Sequence, residues 1–249
     1  GRSVQFQHFI IIPPCQCNEG INNSLVGGVS LPFGDYQYFD LSANHTSYAP
    51  ITDTTTLKLS GNFNFAKGYS GKELPFYKRY FGGGSGSVRG FGNKTLGPLY
   101  PNGKAKGGEI SILGSANLIT PAFFFDNNEK MRMSAFIDAG NIWLQKEDTK
   151  RPGGDFKLDR FYKEIAMGAG LGARLNFGFF IIRLDASLPI RDPALPEGER
   201  WIFEAKDKYN DYYGEFLKEN DIAQYNSFIE RGGYRRYRVR FNLGIGYPF

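Results

Sequence analysis

The residue best equipped for chemistry in this chain is Arg89, within Val88, Arg89, Gly90 and Phe91 near the end of the run GKELPFYKRYFGGGSGSVRGF. A guanidinium presents its N–H donors as a planar fork that matches a carboxylate through two parallel bonds. One acid answers it. Asp138 stands on an alternating segment, 132–143, on the same face as Ser134 and Gly140. The chemistry these two residues predict is anchoring: Arg89, at the tip of a long insert, pairs with Asp138 on a wall. Other reactive sets do not assemble. A phosphate-cradling loop needs Gly-x4-Gly-Lys-Ser/Thr between a strand and a helix, and Gly92, Asn93, Lys94 and Thr95 lack that spacing. Cys15 and Cys17 are two positions apart, so an extended backbone sends them to opposite faces, too far apart for an unstrained disulfide. With 2 His in the chain, no Cys/His zinc set forms. No Ser/His/Asp or paired-carboxylate site is found, so no catalysis, metal or cofactor is expected.

The insert that carries Arg89 spans 69–108 and has no strand pattern of its own. Such a connection is functional or disordered, and Phe76, Tyr77, Tyr80, Phe81 and Phe91 weigh against disorder. On both sides lie segments in which apolar and polar residues alternate, the mark of a strand with one wet face. In 55–67, Leu57, Leu59, Phe63 and Phe65 oppose Lys58, Ser60, Asn62 and Asn64. In 109–120, Ile110, Ile112, Ala116 and Leu118 oppose Ser111, Ser115 and Asn117. The same pattern recurs at 3–12, 24–33, 38–48, 132–143, 165–177, 180–188 and 238–249. In the last, Phe241, Leu243, Ile245, Tyr247 and Phe249 oppose Asn242, Gly244 and Gly246. Those two glycines either weaken the strand or relieve crowding beside it.

These segments have the length a tilted strand needs to cross a bilayer. From residue 50 onward the connections alternate short and long, the long ones being 69–108, 145–164 and 191–237. Tight turns on one side and large loops on the other are the rhythm of outer-membrane barrels. The turn at Gly34 and Asp35 is short where a long one is due, and 206–229 is a candidate amphipathic helix through Tyr209, Tyr213, Phe216 and Leu217. Mean hydropathy is -0.38 and no apolar run is long enough for a membrane helix. A β-sandwich would hydrate its polar faces with Lys and Glu, whereas these faces are mostly Ser, Asn and Gly. The net charge of +5 is spread out, so no nucleic-acid face is expected. Arg231 to Arg240 forms the one basic cluster and suits lipid headgroups. The fold class is therefore all-β, an antiparallel transmembrane barrel, with no signal segment at the start of the chain.

These residues resemble the BamA/TamA superfamily of outer-membrane insertases and translocators, over nearly all of 1–249, as the carboxy-terminal part of such a barrel. The run ending in Val88, Arg89, Gly90 and Phe91 is similar to the family's lumen-inserted sixth outer loop. Phe136, Ile137, Asp138, Ala139 and Gly140 resemble the strand that receives it, and Phe249 resembles the carboxy-terminal signal of outer-membrane barrels. The BamA type is the nearest pattern and the TamA type its competitor. Where the family carries an additional inward Glu this chain has Asn117, so the clamp is expected to be one carboxylate weaker. The resemblance implies a barrel of about sixteen strands of which this chain supplies the last nine, with the other strands and POTRA domains upstream or on another chain. It implies an outer-membrane protein that inserts nascent barrel proteins through a lateral seam at 238–249, aided by accessory lipoproteins and in contact with lipid and lipopolysaccharide. A TamA-like or two-partner translocation pore, or a passive porin, are the alternatives.

Overall fold

When large apolar residues alternate with Ser, Asn or Gly, a pleated strand sends the two sets to opposite sides. In the computed structural model these segments form one nine-stranded antiparallel sheet, each strand bonded to its neighbours in chain order. The strands are β1 (Ser3–His8), β2 (Gly20–Ser30), β3 (Tyr38–Pro50), β4 (Thr56–Gly68), β5 (Ile110–Pro121), β6 (Met131–Trp143), β7 (Ala166–Asn176), β8 (Ile181–Arg191) and β9 (Arg240–Gly246). The structure describes residues 3–8, 20–30, 36–98, 106–122, 131–149, 153–177, 179–195, 200–201, 218–219 and 239–246. The sheet is open, with β1 and β9 as its edges.

One face is apolar and exposed. Phe39, Leu41, Leu59, Phe63, Ile137, Leu171, Leu184, Leu243 and Ile245 all lie on it, and Phe241 is 83% exposed. Such a surface is stable against hydrocarbon and not against water. The other face is a polar lining. Asn44 Nδ2 donates to Ser24 Oγ at 3.1 Å, and further amide bonds link Asn62 to Asn44 and Asn64 to Asn62 across and along β3 and β4. The ladder from β4 to β7 keeps a continuous register, and among the described residues the register shifts between Met167 and Gly168, where β7 meets β8. A bulge there bends the strand beside the insert's tip.

The segments observed follow the alternation closely. β2 starts at Gly20, earlier than the predicted 24, because Gly20 through Asn23 pair with Tyr48 through His45 of β3. Pairing with a long neighbour overrides the weak local pattern of that stretch. Aromatic residues at strand ends do not all meet a membrane boundary. Trp143 is buried, with Phe156 edge-on at 5.4 Å and its indole N–H donating to Glu164 Oε2 at 2.6 Å. The predicted strand extension through Phe9 to Ile12, the turn holding Cys15 and Cys17, the Gly34 turn, and Tyr247 and Phe249 lie outside the described residues. So does the predicted helix at 206–229 apart from Lys218 and Glu219, which are helical.

Candidate functional site

The insert between β4 and β5 turns back across the polar face. Its neck is closed by a reciprocal pair, Tyr80 N–H to Gly108 O and Gly108 N–H to Tyr80 O, both 2.9 Å. Leu74 packs with Tyr38 and Ala66 beside Tyr80. Lys78 Nζ lies 3.4 Å from Asp40 Oδ1 and 5.0 Å from the Tyr38 ring centre. Burial works to lower the Lys78 pKa, but the Asp40 carboxylate and Tyr38 outweigh it and hold the ammonium above its ordinary value. Further in, Leu96 N–H bonds to Gly82 O at 3.1 Å and Gly84 N–H to Phe91 O at 3.1 Å, folding the tip into a compact turn.

That tip is buried in the sheet. Val88 is fully covered, with Leu96 and Ala166, and Phe91 and Leu113 pack against them. Gly90 has φ +101°, a left-handed conformation, and a Cβ there would stand 2.6 Å from the Leu188 carbonyl carbon. Both the angle and the space demand glycine. Arg89, 4% exposed, then meets Asp138, 1% exposed, through three bonds. Its backbone N–H reaches Oδ2 at 3.0 Å, Nε reaches the same oxygen at 2.7 Å, and Nη2 reaches Oδ1 at 2.8 Å. This is the two-toothed arrangement that Arg favours. Nη2 also donates to Asn117 Oδ1 at 2.9 Å, and Ser115 Oγ donates to Asp138 Oδ1 at 2.6 Å. The guanidinium carbon lies over the Phe136 ring, 3.3 Å from its centre, so the cation meets an aromatic face as well as a carboxylate.

At the position where the resemblance leads to a Glu, Asn117 contributes a neutral amide oxygen, and a second carboxylate that was not predicted reaches Arg89 from Asp185. This residue of β8, 1% exposed, places Oδ2 3.4 Å from Arg89 Nη1. It also holds Arg183 Nε at 3.0 Å, and Arg183 Nη2 donates to the Ser85 carbonyl of the insert at 2.8 Å. The tip is therefore gripped from β6 and from β8. Alternation does put Asp185 on the polar face; what it lacks is any signal that the tip reaches two strands past Asp138. The glycines of β7 form the seat of the tip, a role that alternation alone does not signal. A Cβ at Gly168 would overlap the Arg89 carbonyl oxygen, one at Gly170 would stand 2.7 Å from Phe136 Cζ, and one at Gly172 would overlap Asp185 Oδ1.

The structure thus brings together Val88, Arg89, Gly90, Phe91, Asn117 and Asp138. The second predicted group, on the last strand, is separate from them. Phe241 and Leu243 point out from the apolar face. Gly244 pairs with Arg183, and a Cβ there would sit 3.4 Å from its Nε. That glycine gives Arg183 room to lie toward the insert. Gly246 pairs with Ile181 at the end of β9.

A family model, the Omp85 superfamily domain, matches residues 16–249. Over 120 residues the chain is 38% identical to the outer membrane protein assembly factor BamA of Neisseria meningitidis serogroup B, a match covering 46% of this chain and 15% of that protein. The fold is similar to the crystal structure of BamA from Haemophilus ducreyi lacking POTRA domains 1-3, with a TM-score of 0.63 and 24% identity, over 80% of this chain and 40% of that one. The chain spans less than half the length of these relatives.

Proposed function

Because the chain belongs to the Omp85 superfamily and its strands cross the outer membrane, we propose that it is the carboxy-terminal barrel portion of an insertase of the BamA type. The observation that carries this reading is the insert 69–108, held against the polar face by Arg89 between Asp138 and Asp185. A passive pore has no need of a buried, doubly paired arginine in its channel. An open sheet in hydrocarbon leaves unpaired backbone groups that cost several kcal/mol each, so further strands close the barrel against β1 and β9. Where that closure parts at β9, its free N–H and C=O groups template an incoming strand by β-augmentation. Hydrogen bonding and burial of the client's apolar face in lipid drive the step without a catalytic group. Nascent barrel proteins are the clients, with accessory lipoproteins, POTRA domains and lipopolysaccharide as the surroundings.

Cells whose only full-length copy carries Arg89→Ala should show a several-fold fall in folded outer-membrane barrels, measured by heat-modifiable mobility. If barrels assemble normally in cells depleted of the protein altogether, the insertase reading is overturned. Loss of one secreted substrate with barrels intact would assign a TamA-like or two-partner translocation role instead.

A further inference from the structure

Past the clamp, toward the short-turn end, three adjacent strands each present one arginine in register. Arg132 of β6 pairs with Arg174 of β7, and Arg174 pairs with Arg183 of β8. Strand parity puts all three on the polar face, Arg132 with Ser134 and Asp138, Arg174 with Gly172, and Arg183 with Asp185. Like charges directly opposite on a sheet repel, so the row needs anions. Arg183 has one in Asp185 at 3.0 Å. Arg174 and Arg132 make no ion pair among the described residues, and Arg174 Nε is buried without a hydrogen-bond acceptor among them. Arg132 is exposed on the lumen wall.

The position of the row selects its partner. It lies where β6 begins and β7 ends, opposite the insert's neck, and it faces away from the apolar surface. Acyl chains stay on that other surface; an extended polypeptide can enter a polar lumen. Strands are about 4.8 Å apart, so the row is about 10 Å long, and alternate side chains of an extended segment are about 7 Å apart. Two acidic side chains at i and i+2 can therefore engage two guanidinia, each through its fork. We propose that Arg132, Arg174 and Arg183 form a docking site for an acidic, extended polypeptide segment entering the lumen from the short-turn end. This deepens the insertase reading, on which the direction of traffic rests, by naming the charge of the client segment.

The test uses the full-length protein in nanodiscs and a fluorescent peptide with Asp at alternate positions in a Ser/Asn background, set against the same peptide with Asn for Asp. The acidic peptide should bind and the amide peptide should not, with affinity falling as salt shortens the screening length. Arg174→Gln should weaken binding about tenfold, and the exposed charge reversal Arg132→Glu, which disturbs no packing, at least as much. Lys58→Gln, a cation on the same face outside the row, should leave binding unchanged. Equal binding of both peptides, no effect of Arg132→Glu, or an equal loss with Lys58→Gln would overturn the site. Peptide binding without any role in barrel assembly would leave the site standing and remove the insertase reading; normal assembly without peptide binding would do the reverse.

Discussion

The lumen clamp and the Asp155 cluster of the long loop at 145–164 are built from similar charged residues and held in opposite ways. In the loop, Asp155 pairs with Arg160 at 2.6 Å and Lys157 at 3.4 Å, and Arg160 pairs with Glu164 at 2.9 Å. Within this cluster every partner is a near neighbour in sequence, and although Asp155 is buried, Lys157 and Arg160 keep 46% and 29% of their side chains in solvent. The loop's one long-range ion pair among the described residues, Asp148 with Lys106 at 2.8 Å, lies outside the cluster and is partly exposed. In the clamp, Arg89 reaches residues 49 and 96 positions away, and all three side chains are at most 5% exposed. Exposed ion pairs contribute about 0–1 kcal/mol. A buried pair is different in kind, because removing one partner strands a charge in low dielectric and costs about 3–5 kcal/mol. The loop cluster shapes a local turn; the clamp ties a long insert to two strands.

The contrast can be broken from the strong side first. Asp138→Ala should destabilise the insert's seated position by about 3–5 kcal/mol. Limited proteolysis of the folded barrel would then cut within 69–108, where the wild-type protein resists; resistance equal to wild type would show that the pair does not hold the tip. Asp185→Asn should cost less, about 1–2 kcal/mol, since Asp138 keeps all three of its bonds to Arg89 and the amide still accepts from Arg183. The same proteolysis ranks the two, and an effect of Asp185→Asn exceeding that of Asp138→Ala would reverse the assignment of first and second anchor.

The smallest effect belongs to the loop and depends on pH. Burial would raise the Asp155 pKa, but a backbone N–H, Arg160 and Lys157 outweigh it and leave the carboxyl below its ordinary value of 3.8. The folded loop thus binds fewer protons than the opened one. Its stabilisation is complete above the ordinary value and is lost as pH falls through the folded pKa, below about 4. Hydrogen exchange of the backbone N–H groups of Leu144 and Phe156, which bond to the loop and to Leu144 itself at 2.8 and 2.9 Å, should speed up there by no more than about tenfold, the equivalent of ~1 kcal/mol. Asp155→Asn should abolish that dependence.

Much of this was legible before any coordinates. Leu57, Leu59, Phe63 and Phe65 against Ser60, Asn62 and Asn64 declare both the strand and its two environments, because a strand's side-chain period is two whatever its neighbours. Asp138 was legible for the same reason: parity fixes its face, and an acid on a lining face needs a cation. Asp185 satisfies the same rule but its link to Arg89 was hidden, since alternation says which face a residue occupies and nothing about how far a loop extends across it. The seat made by Gly168, Gly170 and Gly172 was hidden likewise. A glycine's meaning lies in what approaches it, and here that is Arg89, Phe136 and Asp185 from other parts of the chain.

The amino-acid order by itself determined the crossing segments, the apolar and polar faces, and the arginine and first acid of the clamp, all of which follow from spacing along one strand. Tertiary structure decided the depth of the insert, the second carboxylate, the glycine seat and the alignment of Arg132, Arg174 and Arg183 across three strands. Those depend on register between strands and on the path of a folded loop, which are set by pairing over long separations and leave no period in the sequence.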